Sequence, residues 1–307
     1  MSARPPRTAD LRALMALITG AVLIGFAPIF VRLTDVGLTA CAFWRTLLAL
    51  PLLSLLMTAT RDPQHRILRP GLGWLLLAGA CFAGDLGFWH QSLHLTSVAN
   101  ATLMTNLAPV FVTLASFLLF GEHFRPAFLA GIALAVSGAF VLVSHSLQLG
   151  SRSVIGDLLG LVSAVFYAGY ILGVARARQK FSAVEVMFWI SLSATVLLFG
   201  LALALQENFW PQSMQGWLVL LALALLSHVA GQGLIAWALA HLSAAFSAVG
   251  LLVQPVAAAV FAWLILAEPF GTRQALGGAI VLAGIVICRW TLESNKVERT
   301  RTETIAA

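Results

Sequence analysis

Asp85 stands midway along an apolar stretch, 72–93, and a carboxylate in that setting calls for chemistry to explain it. If the stretch crosses a bilayer, a bare carboxylate there costs about 2.5–3.5 kcal/mol, so it should face a bundle interior or water. Phe88, Trp89 and Ser92 follow at i+3, i+4 and i+7, on the same helix face. Three roles fit: holding a substrate ammonium, carrying a coupling proton, or pairing structurally between helices. His90 lies about 140° further around the helix and leaves that face. His228 and Gln232 form an i, i+4 pair and share a face. Either histidine can serve a proton relay near neutral pH or sit as a neutral imidazole bonded between helices. Asp85, His90 and His228 are the proton-coupling candidates.

A second set of polar groups surrounds prolines. Thr102, Asn106 and Pro109 fall at i, i+4 and i+7, and Ser247 and Gln254 share another stripe. Pro109 and Pro255 each free a backbone carbonyl one turn earlier, which needs a partner inside a membrane. Asn106 and Gln254 either satisfy those carbonyls or bind substrate. Pro28, Pro109 and Pro255 are candidate hinges, and Pro51 could bend its helix likewise. Tyr167, Tyr170, Trp89 and Trp237 offer aromatic surface to a side chain or cation. The expected substrate-binding set is Asp85, Trp89, Asn106, Tyr170, Gln232, Trp237 and Gln254.

No catalytic set, metal site or cofactor is expected. His and carboxylate residues do not occur at ligand spacing. Neither lysine, Lys180 or Lys296, follows the glycine pattern of a phosphate loop. No G-x-S-x-G elbow or H-E-x-x-H helix is present. Cys41, Cys81 and Cys288 lie scattered in apolar runs and read as small buried hydrophobes.

The elements that must position these residues follow from composition. The chain has 307 residues, 60% hydrophobic and 10% charged, with a mean hydropathy of +0.93. A soluble domain carries roughly 25% charged residues, so this is an all-α polytopic membrane protein whose surroundings are the lipid bilayer. The net charge of +6 does not imply nucleic acid, because the basic residues lie in short connections and at the termini. The first apolar run, from about 11 to 33, is too long for a signal-peptide core and reads as a retained helix.

With about 20 apolar residues per span, ten spans fit: 11–33, 38–58, 72–93, 98–120, 126–145, 154–175, 184–206, 214–239, 244–266 and 272–291. Residues 1–10 form an N-terminal tail and 292–307 a polar C-terminal tail expected to be disordered. Placing both termini in the cytoplasm puts fourteen lysines and arginines inside. Only Arg32, Arg45, Arg152 and Arg273 then fall outside, a strong positive-inside bias. Trp44, Trp74, Trp210, Trp217 and Trp290 lie near span ends and are expected as interface anchors.

The segment 93–138 recurs 146 residues downstream: Pro109 maps onto Pro255, Glu122 onto Glu268, Gly131 onto Gly277 and Gly138 onto Gly284. Phe43-Trp44 likewise meets Phe188-Trp189, and Gly73-Trp74 meets Gly216-Trp217. Each half, 11–145 and 154–291, therefore holds five spans. An odd-numbered duplication inserts its halves upside down, the inverted-topology repeat of many secondary transporters. Glu122 and Glu268 then mark equivalent loops on opposite sides. The glycine pairs, seven residues apart, are expected to pack the fifth and tenth spans closely.

These features carry a resemblance to the EamA family of the drug/metabolite transporter superfamily. Its marks are the two five-helix halves, the small or polar residue before proline in spans four and nine, and the closing Gly121-Glu122 and Ala267-Glu268. The run Ala27-Pro28-Ile29-Phe30-Val31-Arg32 with Phe43-Trp44-Arg45 is also similar to bacterial members. One departure is Gly25-Phe26, where many members have a tryptophan. The resemblance implies a secondary exporter of small metabolites, often amino acids, working by alternating access in the inner membrane. The expected partners are a small-molecule substrate and lipid, with monomer and homodimer both open. A channel or facilitator for small solutes is the alternative, and an intramembrane enzyme a more distant one.

Overall fold

A computed structural model of the protein describes residues 11–59, 71–96, 101, 104–143, 151–266 and 271–306, which are helical apart from short connections. In chain order the helices are α1 (Leu11–Ile24), α2 (Ala27–Leu33), α3 (Leu38–Leu47), α4 (Leu50–Ala59), α5 (Leu72–Leu95), α6 (Ala108–Phe120) and α7 (Pro126–Val143). After them come α8 (Ser151–Ala177), α9 (Ala183–Ala204), α10 (Met214–Ala222), a π-helical segment (Leu223–Gln232) and α11 (Gly233–Ala238). The last are α12 (Ala244–Gly250), α13 (Val253–Leu266) and α14 (Thr272–Ala306).

Among the described residues, eight helical stretches are long and apolar enough to cross a membrane, the first Leu11–Leu33 and the last Thr272–Thr291. Two shorter apolar helices, Ala108–Phe120 and Pro126–Val141, occupy the positions of the expected fourth and fifth spans. Thr102, Glu268 and the tail 1–10 lie outside the described residues. The polar residues after Glu293, expected to be disordered, instead continue the backbone of α14 to Ala306. Neither glycine nor proline interrupts the chain there.

Four stretches read from hydropathy as continuous are broken, each two to four residues before a proline: at Gly25-Phe26, Leu48-Ala49, Asn106-Leu107 and Leu251-Leu252. Proline lacks the N–H that would close the turn, and its ring crowds the carbonyl behind it. The chain tightens there instead: Leu107 N donates to Met104 O at 3.1 Å and Leu252 N to Val249 O at 3.0 Å. The prolines therefore interrupt helices as well as offering to bend them.

Small residues set the closest helix contacts. A Cβ on Gly138 would lie 2.6 Å from Val281 N, and one on Gly284 would lie 2.6 Å from Ala135 N. The backbones of α7 and α14 thus meet directly, as the glycine pairs predict. On the other side of the bundle, a Cβ on Gly20 would lie 2.7 Å from Gly231 O, which lets α1 lie against the π-helical segment.

Trp44 departs from the anchor role. It is 7% exposed, its Nε1 donates to Phe209 O at 2.7 Å, and its ring packs against Phe209, Trp210 and Trp217. An indole with a buried partner for its N–H gains from packing inside. Trp74, Trp210 and Trp290 remain exposed, as anchors require.

Candidate functional site

Three of the four breaks in the helices converge on a cavity of about 100 Å³. Gly25, Ala27 and Pro28 come to it from the first break, Thr105 and Asn106 from the third, and Gln254 and Pro255 from the fourth. Interrupted backbone at membrane depth is tolerated where it lines a cavity or is buried in protein, and transporter sites are commonly built this way. The intact helix α5 supplies Phe82, Asp85, Leu86 and Trp89. Gln232, at the end of the π-helical segment, and Tyr167 from α8 complete the polar wall. π geometry is rare in helices, and where it occurs it is frequently at functional positions.

Five of the seven expected substrate residues line this cavity: Asp85, Trp89, Asn106, Gln232 and Gln254. Asp85 is 7% exposed, and its Oδ1 accepts a hydrogen bond from Ser163 Oγ at 2.7 Å. Gln254 Nε2 donates to Tyr167 Oη at 3.3 Å. Gln232 Oε1 accepts from Tyr170 Oη at 3.0 Å. The Asn106 Nδ2 atom is buried with no hydrogen-bond partner.

The other two stand back from it. Tyr170, 1% exposed, lies behind Gln232 and stacks on Tyr167, so it orients the amide. Trp237 packs against His241, the rings tilted by 38° with centroids 4.4 Å apart. Of the hinge candidates, Pro28 and Pro255 border the cavity, whereas Pro109 is buried within α6.

Neither histidine lines the cavity. His228 Nε2 lies 2.8 Å from Ser191 Oγ, whose proton goes to Met187 O at 2.6 Å. The histidine therefore donates to the serine and carries a proton on Nε2. Its ring stacks on Phe82, a cavity residue, with centroids 5.4 Å apart. His90 is buried beside Trp89, and neither of its ring nitrogens has a hydrogen-bond partner. Among the described residues, no group of His, Cys, Asp and Glu could hold a metal.

Arg45 corrects the sequence reading. Counted there among external residues, it is 3% exposed inside the bundle and lines the cavity. Its guanidinium lies over the Phe82 ring, 5.8 Å from the centroid, and its Nε has no hydrogen-bond partner. Removing it leaves three arginines in the external set, which strengthens the positive-inside asymmetry. Two signals pointed to it. Position 45 lies inside an expected span, and it is where the repeated Phe-Trp pair is followed by Arg45 in one half and Ile190 in the other.

The connections also tie elements together. Asp35 Oδ2 accepts from Gln212 N and from Ser213 Oγ, each at 3.0 Å. Glu207 Oε2 accepts from Ala40 N at 2.9 Å, and Gly37 N donates to Asn208 O at 2.8 Å. These bonds fasten the segment 34–40 to the segment 207–213. Elsewhere, Thr96 Oγ1 donates to Asp157 Oδ1 at 2.8 Å, and Arg178 Nε donates to Ala236 O at 2.8 Å.

Comparison with known proteins agrees with this architecture. The model of the EamA-like transporter family matches residues 11–144 and 154–290. The chain is similar to the pseudopaline exporter CntI of Pseudomonas aeruginosa, 29% identical over 248 residues, covering 80% of this chain and 84% of the relative. It is also similar to a probable terminal-alkyne amino-acid exporter of Streptantibioticus cattleyicolor, 29% identical over 191 residues, covering 61% of this chain and 63% of the relative. A solved crystal structure shares the fold with a TM-score of 0.77 at 19% identity, covering 90% of this chain and 96% of that one.

Proposed function

The chain belongs to the EamA-like transporter family, and from that premise we propose that it is a secondary transporter exporting small metabolites, amino acids foremost, by alternating access across the bacterial inner membrane. The observation that carries this reading is the cavity: interrupted helices from both family-matched segments meet there around one buried carboxylate, Asp85. Support for export comes from the names of both relatives, and for amino-acid cargo from that of the second. Asp85 takes the substrate ammonium or the coupling proton, and Gln232, Gln254 and Asn106 hydrogen-bond its polar groups. Trp89 and Phe82 bound the side-chain space, while Tyr170 holds Gln232 in place.

Ten spans in two inverted halves, with both termini cytoplasmic, are part of the proposal. Its support includes which connections meet. Alternating spans put 34–37, 96, 207–213 and 157 on one side, where Asp35 holds Ser213 and Thr96 holds Asp157. They put Phe120, Arg176, Arg178 and Ala236 on the other, where Arg176 lies over Phe120 and Arg178 bonds Ala236.

Counterflow in proteoliposomes with a panel of radiolabelled amino acids tests the function. Accumulation of at least one is expected. Robust movement of another solute class with none of the amino acids would sink the substrate assignment.

A further inference from the structure

Two polar groups border the cavity in one half of the sequence and have apolar counterparts in the other: Arg45 corresponds to Ile190 and Asn106 to Leu252. The scaffold repeats, and the charged chemistry does not.

Each of these groups holds a buried donor atom without an acceptor. Arg45 is 3% exposed, its Nε makes no hydrogen bond, and its contact over Phe82 is with a ring face. Asn106 Nδ2 is buried and likewise unpartnered. A buried donor left without an acceptor costs more than a typical hydrogen bond gains, and a charged one costs most. The carboxylate in the same cavity is not their partner: Arg45 Nε and Asn106 Nδ2 make no hydrogen bond, and Asp85 Oδ1 accepts from Ser163 Oγ. That bond leaves further acceptor sites on Asp85 for a cation.

We propose that Arg45 and Asn106 form a carboxylate subsite in the central cavity, set against Asp85, so that the site selects a zwitterion carrying both an ammonium and a carboxylate. This inference rests on the transporter reading and narrows its substrate class. A guanidinium presents a planar fork that a carboxylate fills with two parallel hydrogen bonds. The Asn106 amide adds a donor from the break in the fourth stretch. A polyanion would meet the Asp85 carboxylate, and a simple amine would leave Arg45 and Asn106 unpaired. A zwitterion neutralises both ends at once, and the apolar remainder of the wall, Phe82, Leu86 and Trp89, receives its side chain. Sites that hydrogen-bond a substrate group reject analogues lacking it far more strongly than apolar pockets reject an extra methylene.

The test uses the full-length protein in liposomes, with counterflow of each of the twenty amino acids in competition with its own carboxamide, which keeps the ammonium and removes the carboxylate. The expected result is at least ten-fold weaker competition by the amide for every amino acid carried. R45K, which keeps the charge and loses the fork, and N106L should each shrink that ratio several-fold. Equal competition by acid and amide in the wild type overturns the subsite while leaving the transport reading intact. Variants that lower acid and amide recognition equally assign Arg45 and Asn106 to structure and overturn it too. Uptake of no amino acid sinks the amino-acid assignment and the subsite together. Should R45K fail to fold, the wild-type amide series and N106L still decide.

Discussion

Ser163 donates its hydroxyl to Asp85 Oδ1 across 2.7 Å, joining α8 to α5 at the cavity wall. That bond holds one oxygen of the carboxylate and so sets which way the other faces. A hydrogen bond to a carboxylate contributes about 1.5–3 kcal/mol. D85N keeps the size and an acceptor oxygen but removes the charge. Counterflow by D85N should fall by roughly ten-fold or more, since 1.4 kcal/mol is a factor of ten, and its pH profile should flatten. S163A should lower activity less and keep the pH response. Unchanged counterflow by D85N at every pH would make Asp85 a structural residue.

Tyr170 acts through Gln232. Its hydroxyl donates to Gln232 Oε1 at 3.0 Å from behind the cavity wall. Y170F removes that hydroxyl and releases the amide, at a cost of about 0.5–1.5 kcal/mol. The transport KM should rise up to roughly ten-fold with little change in maximal rate. A fall in rate with KM unmoved would show that Tyr170 serves the conformational step instead.

The direct backbone contact of α7 and α14 predicts a steep response to one methyl group. At Gly138 an added Cβ would lie 2.6 Å from Val281 N, so G138A must push the helices apart, costing about 1–3 kcal/mol. Gly200 in α9 meets nothing within 4 Å, and G200A should be neutral or gain about 0.5–1 kcal/mol in helix propensity. Thermal unfolding in detergent compares the two. A Tm for G138A equal to that of the wild type would refute the close packing.

Asp35 fastens two connections with bonds from Gln212 N and Ser213 Oγ. Cys41 is fully buried in α3, just beyond that fastening. D35A should speed labelling of Cys41 by a small, membrane-impermeant thiol reagent several-fold, in a background of C81S and C288S. Labelling at the wild-type rate would mean that Asp35 does not control access from that side.

Much of the scaffold was legible in the residues. The glycines at 131, 138, 277 and 284 announced the α7–α14 contact, because only residues without side chains let two helix backbones touch. The prolines at 28, 51, 109 and 255 marked the four interruptions, because a missing N–H acts wherever it falls. Helix-face spacing placed Asp85 with Trp89, and both reach the cavity. Aromatic type alone suggested Tyr170 and Trp237, which pack behind the wall and beside His241. Position near a span end suggested lipid for Trp44, while its indole N–H found Phe209 O.

What the sequence determined by itself is whatever depends on local chemistry: where apolar helices run, where proline stops them, and which segments repeat. What only the tertiary structure decided is which polar side chains share one cavity. Lipid and protein interior are equally apolar, so hydropathy marks a residue as inside the membrane without saying which neighbour it faces. Arg45 shows the difference, since its place beside Asp85, Asn106 and Phe82 follows from how α3 turns against α5. That rotation is set by packing among segments far apart in the chain, and no single stretch of sequence carries it.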